Sequence, residues 1–320
     1  MKKSYPTALI TGASGFLGSY ISSSLNTCGF QVHGLGRRDS CSNNSLKSFL
    51  SYNLADGVPE FVRNYDLVVH AAGFAHKPLL SDSDVELCWK VNHTGTANLI
   101  RGISSQSIQP RQVVYISTVG VYGVKVGSKV SEKTPCKPSD AYGESKLRAE
   151  LELQAYCSSN QINLLILRLP LIFGENPPGN LGSMLNSMKR YYYFGIGSGC
   201  NKRSIVSAWS VADIIAKSYS SKFGTYNLST TKDLSIRSIE MSIARMAGRK
   251  YVPRIPIGIA KLLGSLGDRL GENFIVNSEK VAKLTQELTF CSKKAHLELG
   301  WADNSELRRM QPATNDEKVL

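Results

Sequence analysis

Short apolar runs alternate with longer amphipathic segments along the first half of the chain. Five runs have the length, the composition and the bounding turn residues of buried strands: Ala8 to Thr11, Gln31 to Leu35, Leu67 to Ala71, Val113 to Ser117 and Leu164 to Leu169. The segments between them are long enough for helices. Because this alternation is typical of β-α-β units, it predicts an α/β fold, a doubly wound parallel sheet with helices on both faces.

The regular alternation fades after Pro170, which predicts that a smaller and irregular C-terminal lobe follows the sheet domain. One lobe segment, Ile255 to Leu270, mixes apolar turns with Lys261, Asp268 and Arg269. It is predicted to be an amphipathic helix that packs on the core, with membrane contact as the alternative. The expected domain ranges are 1–170, rejoined by 207–229, for the sheet domain, and 171–206 with 230–320 for the lobe.

A glycine-rich loop follows the first predicted strand directly. The segment Thr11 to Gly18 has the spacing GxxGxxG and leads into a helical pattern. Gly12 allows a tight turn, Gly15 lets a pyrophosphate approach the backbone, and Gly18 lets the helix pack closely on the sheet. The phosphates then face the N–H groups of a helix N-terminus. In this context the loop predicts a dinucleotide-binding domain of the Rossmann type.

The second predicted strand ends in Gly36-Arg37-Arg38, where an NAD site is expected to place an acidic residue against the ribose 2′-hydroxyl. Two guanidinium groups stand there instead. Their forked donors and permanent positive charge suit the 2′-phosphate of NADP. The sequence therefore favours NADP as the cofactor, with NAD as the alternative because Asp39 is close enough along the chain to rotate toward the ribose.

Tyr142 and Lys146 lie four residues apart, so they share one face of the helix predicted there. A phenol has a reference pKa of about 10 and is a poor acid–base catalyst at neutral pH, whereas a nearby ammonium favours its ionised form. Upstream, the strand that begins at Val113 delivers Ser117 and Thr118 to its carboxyl end, the edge where open parallel sheets bind ligands. A hydroxyl at that edge can hydrogen-bond a substrate oxygen.

These motifs resemble those of the extended short-chain dehydrogenases/reductases, in particular the nucleotide-sugar epimerases, dehydratases and 4-ketoreductases. The resemblance covers residues 7 to about 302 and implies an NAD(P)-dependent enzyme with a Rossmann-type sheet and a substrate lobe. Besides the glycine loop and the Tyr142–Lys146 pair, it rests on His70 to Gly73, Val91 to Thr96, Ser117 to Gly123, and the run of Glu132, Pro135 and Pro138.

The resemblance assigns roles to individual residues. Thr118 matches the catalytic Ser/Thr, Tyr142 the acid–base residue, and Lys146 the residue that binds the nicotinamide ribose and lowers the tyrosine pKa. Ser117 is the alternative hydroxyl. Asn53 departs from the pattern, because the family usually has an acidic residue there, beside the adenine. The expected cofactor contacts are Gly12, Ser14, Gly15, Phe16, Leu17, Gly18, Arg37, Arg38, Asn53, Leu54, Ala71, Ala72, Gly73, Asn92, Tyr142, Lys146 and Pro170.

In the lobe, the segment Cys200 to Val206 resembles one whose arginine grips the substrate pyrophosphate, so Arg203 is the expected phosphate anchor. A surface ion pair with Asp213 is the alternative. The aromatic run Tyr191 to Phe194 is expected to pack within the lobe, with base stacking as the alternative. The expected substrate contacts are Ser117, Thr118, Tyr142, Asn180, Leu181 and Arg203.

Two details favour a reductase. Arg37 and Arg38 imply NADPH, whereas epimerases retain and recycle NAD. The stretch from Arg168 to Leu181 is similar to reductases of UDP-linked 4-keto-6-deoxy-N-acetylhexosamines used in surface polysaccharides. The resemblance thus implies reduction of a C4 keto group, with an NAD-dependent UDP-hexose or UDP-N-acetylhexosamine 4-epimerase as the alternative. A dehydratase is disfavoured because Val119-Gly120 occupies the place of the acidic pair that such enzymes need.

Charge agrees with an anionic ligand. The 320-residue chain carries a net charge of +13, with 16 basic and 12 acidic side chains up to residue 160, and 22 and 13 after it. This excess suits a UDP-sugar and a dinucleotide phosphate. The basic residues are scattered, unlike the dense arms of nucleic-acid-binding proteins. The intact Thr118, Tyr142 and Lys146 argue against a binding protein without turnover.

The cysteines bear on the compartment. Seven cysteines without a CxxC pair argue against a structural zinc and for a reducing compartment, so we expect a cytoplasmic enzyme without a bound metal. No run approaches the roughly 20 apolar residues that span a bilayer, so no transmembrane segment is expected. The family resemblance further implies a homodimer whose interface includes the helix of Tyr142.

Overall fold

The computed structural model describes residues 5–75, 77–270 and 277–303 of the chain. Its strands are β1 (Thr7–Thr11), β2 (Gln31–Gly36), β3 (Ser48–Ser51), β4 (Leu67–His70), β5 (Gln112–Thr118), β6 (Gly127–Val130), β7 (Asn163–Leu169), β8 (Leu171–Phe173), β9 (Gly195–Ile196), β10 (Lys202–Arg203), β11 (Ile205–Ser207), β12 (Gly224–Asn227), β13 (Leu234–Ser235), β14 (Arg254–Ile255) and β15 (Leu288–Phe290).

The described helices are α1 (Phe16–Thr27), α2 (Asp82–Trp89), α3 (Gly95–Ser104), α4 (Ala141–Ser159), α5 (Gly179–Lys189), α6 (Ala208–Lys217), α7 (Ile236–Met246), α8 (Ile257–Leu270), α9 (Ser278–Thr285) and α10 (Lys293–Leu299). A π-helix at Lys90–Thr94 joins α2 to α3, and a 3₁₀-helix occupies Val119–Tyr122.

Seven parallel strands form the main sheet in the order β12-β7-β5-β4-β1-β2-β3. Apolar residues of α1 and α6 pack on one face, and those of α3 and α4 pack on the other. Because both faces are covered, the central strands are buried along nearly their whole length. The doubly wound α/β prediction is therefore confirmed.

The five predicted strands are β1, β2, β4, β5 and β7, and their ends differ from prediction by at most one residue. The sequence pattern missed β3 and β12, which form the two edges of the sheet. Both have four residues, and β3 is mostly exposed. A short edge strand lacks the continuous apolar run that marks a strand buried on both faces.

The lobe is built from small sheets. Strands β13, β10, β15 and β6 form one sheet, and β11 with β8 and β14 with β9 form two ribbons. Helices α5 and α7 pack over an apolar cluster that includes Phe173, Met184 and Ile243. Strand β6, which precedes the predicted lobe in sequence, pairs with β15 and links the sheet domain to the lobe. The domain ranges stay a prediction.

Two lobe segments differ from prediction. Helix α8 packs on the lobe as predicted, but through the small residues Ala260, Gly264 and Gly267, while Leu262 and Leu266 are exposed. Within Tyr191 to Phe194, only Tyr193 is half-buried; the other three side chains are exposed, so the predicted packing of the whole run is wrong. In both cases apolar character indicated burial that tertiary contacts do not provide.

Candidate active site

The glycine loop forms a cradle that no larger residue fits. A Cβ atom at Gly12, whose φ is +71°, would lie 2.8 Å from the Ala72 nitrogen, and one at Gly18 would lie 2.2 Å from the Gly12 oxygen. Gly15 is the N-cap of α1 and makes no side-chain cap, so the first N–H groups of the helix keep no side-chain partner there. This combination suits a pyrophosphate.

The other loop residues predicted to contact the cofactor lie at the end of β1 and the start of α1. Ser14 is half-buried, and its hydroxyl oxygen would lie 3.2 Å from a Cβ added at Gly36. Leu17 packs in the core cluster, and Phe16 lies at its margin. Phe16 also meets Tyr20 edge to face. Leu17 therefore contributes packing through its side chain and presents only main chain to a ligand.

A buried histidine holds the segment Ala71 to Gly73 beside this cradle. His70 Nδ1 lies 2.7 Å from the Thr11 hydroxyl, and Nε2 lies 2.9 Å from the Thr96 hydroxyl. Thr96 donates to the Asn92 carbonyl, so it accepts from Nε2–H, and Thr11 must donate to Nδ1. The Thr11 oxygen, whose proton points to His70, accepts a hydrogen bond from the Ala72 N–H at 3.1 Å. Burial lowers the pKa of His70 to about 3, which keeps the ring neutral.

Asn92 ties the same segment to the catalytic helix. It lies in the π-helix, fully buried, and its carboxamide oxygen accepts the Phe74 N–H at 2.7 Å. Its amide donates to the Ser145 hydroxyl of α4 at 3.0 Å. A Cβ at Gly73 would lie 3.1 Å from the Asn92 oxygen and 3.7 Å from Lys146 Nζ. The backbone of Gly73 therefore runs beside Lys146, at a π-helical distortion of the kind often found at functional sites.

Two glycines bring the predicted catalytic pair together. Thr118, the last residue of β5, caps the 3₁₀-helix by accepting the Gly120 N–H at 3.1 Å. At the start of α4, a Cβ on Gly143 would lie 2.7 Å from the Gly120 oxygen, so the two segments touch through main chain. Tyr142 directly precedes Gly143. Burial raises the pKa of Tyr142 to about 12, against an opposing interaction with the Thr118 side chain, so the phenol is protonated at neutral pH.

Lys146 lies one turn after Tyr142 and is 5% exposed. Its Nζ donates to the Ile116 carbonyl at 2.6 Å and lies 4.2 Å from the centre of the Tyr115 ring. Burial lowers its pKa to about 7, while the nearby Glu150 acts in the opposite direction. The Lys146 side chain therefore changes between ammonium and amine near pH 7.

The structure directs Ser117 away from the predicted substrate site. The buried Ser117 hydroxyl donates to the Glu150 carboxylate, which also binds the Arg168 guanidinium through two hydrogen bonds of 3.1 and 2.6 Å. Arg168 donates to the Tyr122 hydroxyl at 3.0 Å, and Tyr122 donates to the Asn227 carboxamide oxygen at 2.8 Å. Thr118 is therefore the hydroxyl available beside Tyr142.

Sequence reasoning did not single out this Glu150–Arg168 pair. Glu150 follows Lys146 by four residues and so lies on the same face of α4. Arg168 is the one charged residue in the otherwise apolar core of β7. The combination of a helical acid one turn below a catalytic lysine and a lone arginine in a buried strand is a signal that could have predicted the pair.

At the adenosine end of the site, Arg37 and Arg38 follow β2 directly and are exposed. Within the described part of the chain, neither guanidinium has an ion-pair partner. Asn53 is bound by its neighbour, since its amide donates to Asp56 at 2.6 Å. Leu54 is buried against Gly95 and its carbonyl accepts from Asn98 at 2.8 Å. Thus the two arginines remain free to meet a phosphate.

Other predicted contacts lie beyond β7. Pro170 is half-buried between β7 and β8. Asn180 is exposed in the first turn of α5, whereas Leu181 is buried in the lobe cluster and packs with other apolar side chains. Arg203 is half-buried on β10 and donates to the Lys283 carbonyl. The alternative ion pair with Asp213 is absent from the described contacts, where Asp213 accepts from Ser24 at 3.1 Å.

Among the described residues, no group of three or more His, Cys, Asp or Glu side chains is placed to hold a metal ion. The seven cysteines are free thiols. No described helix is both long and apolar enough to cross a membrane.

Known proteins resemble this chain over most of its length. The family model of the NAD dependent epimerase/dehydratase family matches residues 8–228. An N-acetyl-alpha-D-glucosaminyl-diphospho-ditrans,octacis-undecaprenol 4-epimerase of Escherichia coli O157:H7 is 24% identical over 90% of this chain and 88% of its own. A UDP-glucose 4-epimerase of Vibrio cholerae is 26% identical over 94% of this chain and 92% of its own.

Solved structures share the fold. A UDP-glucose 4-epimerase of Thermus thermophilus in complex with NAD superposes with a TM-score of 0.71 at 20% identity, over 96% of this chain and 100% of the other. A Bacillus cereus UDP-glucuronic acid 4-epimerase in complex with NAD gives 0.72 at 18% identity, over 95% and 97%.

Proposed function

Because the chain belongs to the NAD dependent epimerase/dehydratase family, an extended short-chain dehydrogenase/reductase family, we propose that it reduces a sugar C4 keto group with NADPH. The substrate is a UDP-linked N-acetylhexosamine or its 6-deoxy form. The reduced sugar is a precursor of a surface polysaccharide. The observation that carries this choice is the unpaired Arg37-Arg38 at the end of β2, where an acid would favour NAD.

The residues present fit a dinucleotide. The Gly12–Gly18 loop leaves no room for a Cβ atom at either end, and the N-terminus of α1 faces the space a pyrophosphate needs. Ala72 is fixed by the His70 chain, and Gly73 runs past Lys146. When bound, the reduced nicotinamide supplies the hydride that C4 receives.

Side chains of the protein carry out the remaining steps, which are oxygen binding and proton transfer. Thr118 and Tyr142 bind the keto oxygen, and Tyr142 gives its phenolic proton to that oxygen as C4 accepts the hydride. The ketone becomes an alcohol, the cofactor is oxidised, and Tyr142 recovers its proton from solvent by way of its neighbours. A pKa of about 12 supports this direction, since Tyr142 is in the proton-donating form at neutral pH. The Lys146 ammonium stabilises the phenolate that remains.

Arg203 is the proposed partner of the substrate diphosphate. Burial lowers the pKa of its guanidinium, and its described hydrogen bond goes to the Lys283 carbonyl and not to a carboxylate. A half-buried guanidinium without an acid is a favourable place for an anion. Asn180, exposed at the start of α5, is the proposed contact to the nucleotide.

A 4-epimerase is the second candidate, and the relatives favour it. The similar proteins named above are 4-epimerases, and two of the structures hold NAD. In that reaction Tyr142 first removes the C4 hydroxyl proton, and the hydride returns to the opposite face after the keto sugar turns over. We further propose that the enzyme acts in the cytoplasm as a homodimer whose interface includes α4.

The two candidates separate in one assay. Purified protein is mixed with NADPH and a UDP-linked 4-keto-6-deoxy-N-acetylhexosamine, and loss of NADPH absorbance is followed with the wild type and Tyr142→Phe. The reductase consumes NADPH in proportion to the keto sugar, and Tyr142→Phe does not. Interconversion of UDP-N-acetylglucosamine and its C4 epimer without added cofactor, with no NADPH consumption, would establish the epimerase instead.

A further inference from the structure

Helix α8 presents its large apolar side chains to solvent. Its buried positions are small, Ala260, Gly264 and Gly267, and a Cβ at Gly264 would lie 3.2 Å from the backbone of Ser278 in α9. Leu262 is 63% and Leu266 45% exposed. The small residues let α8 approach α9 closely, so the leucines have no core to enter. A soluble amphipathic helix has the opposite arrangement.

The exposed apolar residues of α8 form one stripe. At 100° per residue, Ile259, Leu262, Leu263 and Leu266 fall within about a third of the helix circumference. The exposed Arg269 falls about 20° beyond Leu262, on the flank away from the buried face. The stripe is therefore bounded by the body of the lobe on one side and by Arg269 on the other.

Exposed aromatic side chains come from the segments that lead into α8. Strand β14 precedes α8 and pairs with β9, which follows Phe194, and Ile257 meets Gly197 at the end of β9. Tyr251 precedes β14 and lines one surface pocket with Tyr191 and the Arg249 side chain. The Arg249 guanidinium lies 3.1 Å from the centre of the Tyr191 ring. The exposed aromatic side chains here are Tyr191, Tyr192, Phe194 and Tyr251.

Basic residues alternate with these apolar residues. Arg190 precedes Tyr191, Lys250 precedes Tyr251, and Lys261 precedes Leu262. Between residues 249 and 270 the one acidic residue is Asp268, whose carboxylate is engaged with the backbone N–H of Ser278 at 3.0 Å. The surface thus combines exposed leucines and tyrosines with an excess of basic over acidic side chains.

We propose that this surface, comprising the α8 stripe and the adjoining exposed aromatic and basic residues, docks on an anionic phospholipid membrane. Leucines at the surface of a helix enter the headgroup boundary, tyrosines lie at the level of the headgroups, and lysine and arginine meet lipid phosphates. A second copy of the chain is the less suitable occupant, because it would bring the same uncompensated cations face to face. The proposal is independent of the cofactor and of the reaction at C4.

Docking has a consequence for the substrate class. The stripe belongs to the same C-terminal lobe as Arg203, the proposed partner of the substrate diphosphate. A sugar diphosphate attached to a polyprenyl lipid presents the same two phosphates as a UDP-sugar, but at the membrane surface. Docking on a membrane would let the lobe meet such a lipid-linked substrate as well as the proposed UDP-sugar.

Vesicle co-sedimentation tests the proposal. Full-length protein is mixed with vesicles of phosphatidylcholine alone or with added phosphatidylglycerol, as wild type and as the pair Leu262→Ser/Leu266→Ser. The matched control is Val62→Ser/Leu297→Ser, at positions 91% and 70% exposed elsewhere on the chain. We expect wild type and control to sediment with anionic vesicles only, and the α8 pair to bind at least about tenfold more weakly, because its two polar side chains would not enter the apolar boundary of the bilayer.

Dinucleotide binding by each variant shows that it is folded. Size-exclusion chromatography of the same samples measures the oligomeric state and so tests whether a second copy of the chain covers the surface. Failure of the wild type to sediment with anionic vesicles overturns the proposal. So does equal sedimentation of all three proteins. A shift of the α8 pair to a smaller oligomer without any vesicle binding by the wild type would assign the surface to a second copy. None of these outcomes bears on NADPH consumption, so the proposed reaction is tested separately.

Discussion

The sheet domain and the lobe hold their functional groups in different ways. In the sheet domain, main chain meets main chain: Gly12 against Ala72, Gly18 against Gly12, and Gly143 against Gly120. In the lobe, Arg203 projects from a two-residue strand, and apolar side chains of α8 are left exposed. The first arrangement fixes reacting atoms, whereas the second leaves ligand choice to a few side chains.

The comparison teaches where each property of the enzyme is encoded. In the proposed reaction, hydride chemistry at C4 depends on the relative positions of Thr118, Tyr142 and Lys146, and the backbone around them makes contacts that tolerate no extra atom. Recognition of the sugar nucleotide depends on side chains that can be exchanged without disturbing the sheet. Changes in the sheet domain should therefore affect turnover or cofactor binding, and changes in the lobe should affect substrate binding.

Removal of the proton donor should have the largest effect. Tyr142→Phe deletes the phenolic hydroxyl beside Thr118, and we expect kcat to fall about 1000-fold, within the range for loss of a general acid. Cofactor affinity should stay within a factor of about two. Tyr156→Phe is the matched control, because it removes a hydroxyl from the same helix that donates to Gln109, away from Thr118. Equal loss of activity in both variants would show that the helix, and not the phenol, is responsible.

Crowding the glycine cradle should have the next largest effect. Gly18→Ala adds a Cβ 2.2 Å from the Gly12 oxygen, and the backbone must shift to admit it. We expect about a 100-fold loss of dinucleotide affinity in a fluorescence titration, from overpacking of about 1–3 kcal/mol. Gly258→Ala in α8 is the control, since its Cβ meets nothing within 4 Å. Unchanged affinity in Gly18→Ala would contradict the proposed pyrophosphate site.

In the lobe, Arg203→Gln should act on the substrate alone. Loss of one charge-assisted contact to the diphosphate should raise KM for the sugar nucleotide about tenfold, with kcat and NADPH affinity nearly unchanged. Lys202→Gln is the matched control, because it removes one positive charge at the exposed neighbouring position and leaves Arg203 in place. Steady-state kinetics with both variants decide the point; a similar KM for the two would reject Arg203 as the anchor.

Lys146 should leave its signature in the pH dependence of stability, with no direct effect on substrate binding. Its folded pKa of about 7 is below the usual 10.5, so between these values the unfolded chain binds more protons and stability rises with pH. The slope is at most about 1.4 kcal/mol per pH unit. Urea unfolding at successive pH values should show the wild type gaining on Lys146→Met from pH 7 upward. Parallel curves would mean that the lysine pKa is not lowered.

Much of the sheet domain could be predicted from the sequence, because its elements are buried on both faces and its motifs are local. The strand β1, the glycine loop and the Tyr142–Lys146 spacing each lie within a few residues of chain. By contrast, the neutral state of His70 needs Thr11 and Thr96, which only tertiary packing brings together. Local patterns cannot show such a pairing.

In the lobe, the sequence pattern predicts a helix but does not determine which of its side chains are buried. The amphipathic pattern of α8 is present in the sequence, but which face packs depends on the close approach of α9 through Ala260 and Gly264. Ser117 illustrates the same point in the site, since its position at the end of β5 suggested a substrate contact and Glu150 turns it into the core. In both places partner elements, not intrinsic preferences, decide the direction of a side chain.

The most direct test of the account is the identity of the cofactor. Fluorescence titration of the purified enzyme with NADPH and with NADH, repeated with Arg37→Asp, measures whether the arginines at the end of β2 bind a 2′-phosphate. We predict that the wild type binds NADPH at least about tenfold more tightly than NADH and that Arg37→Asp removes or reverses this preference. Tighter binding of NADH, or NAD that copurifies with the enzyme, would contradict the reductase and support a 4-epimerase that recycles its cofactor.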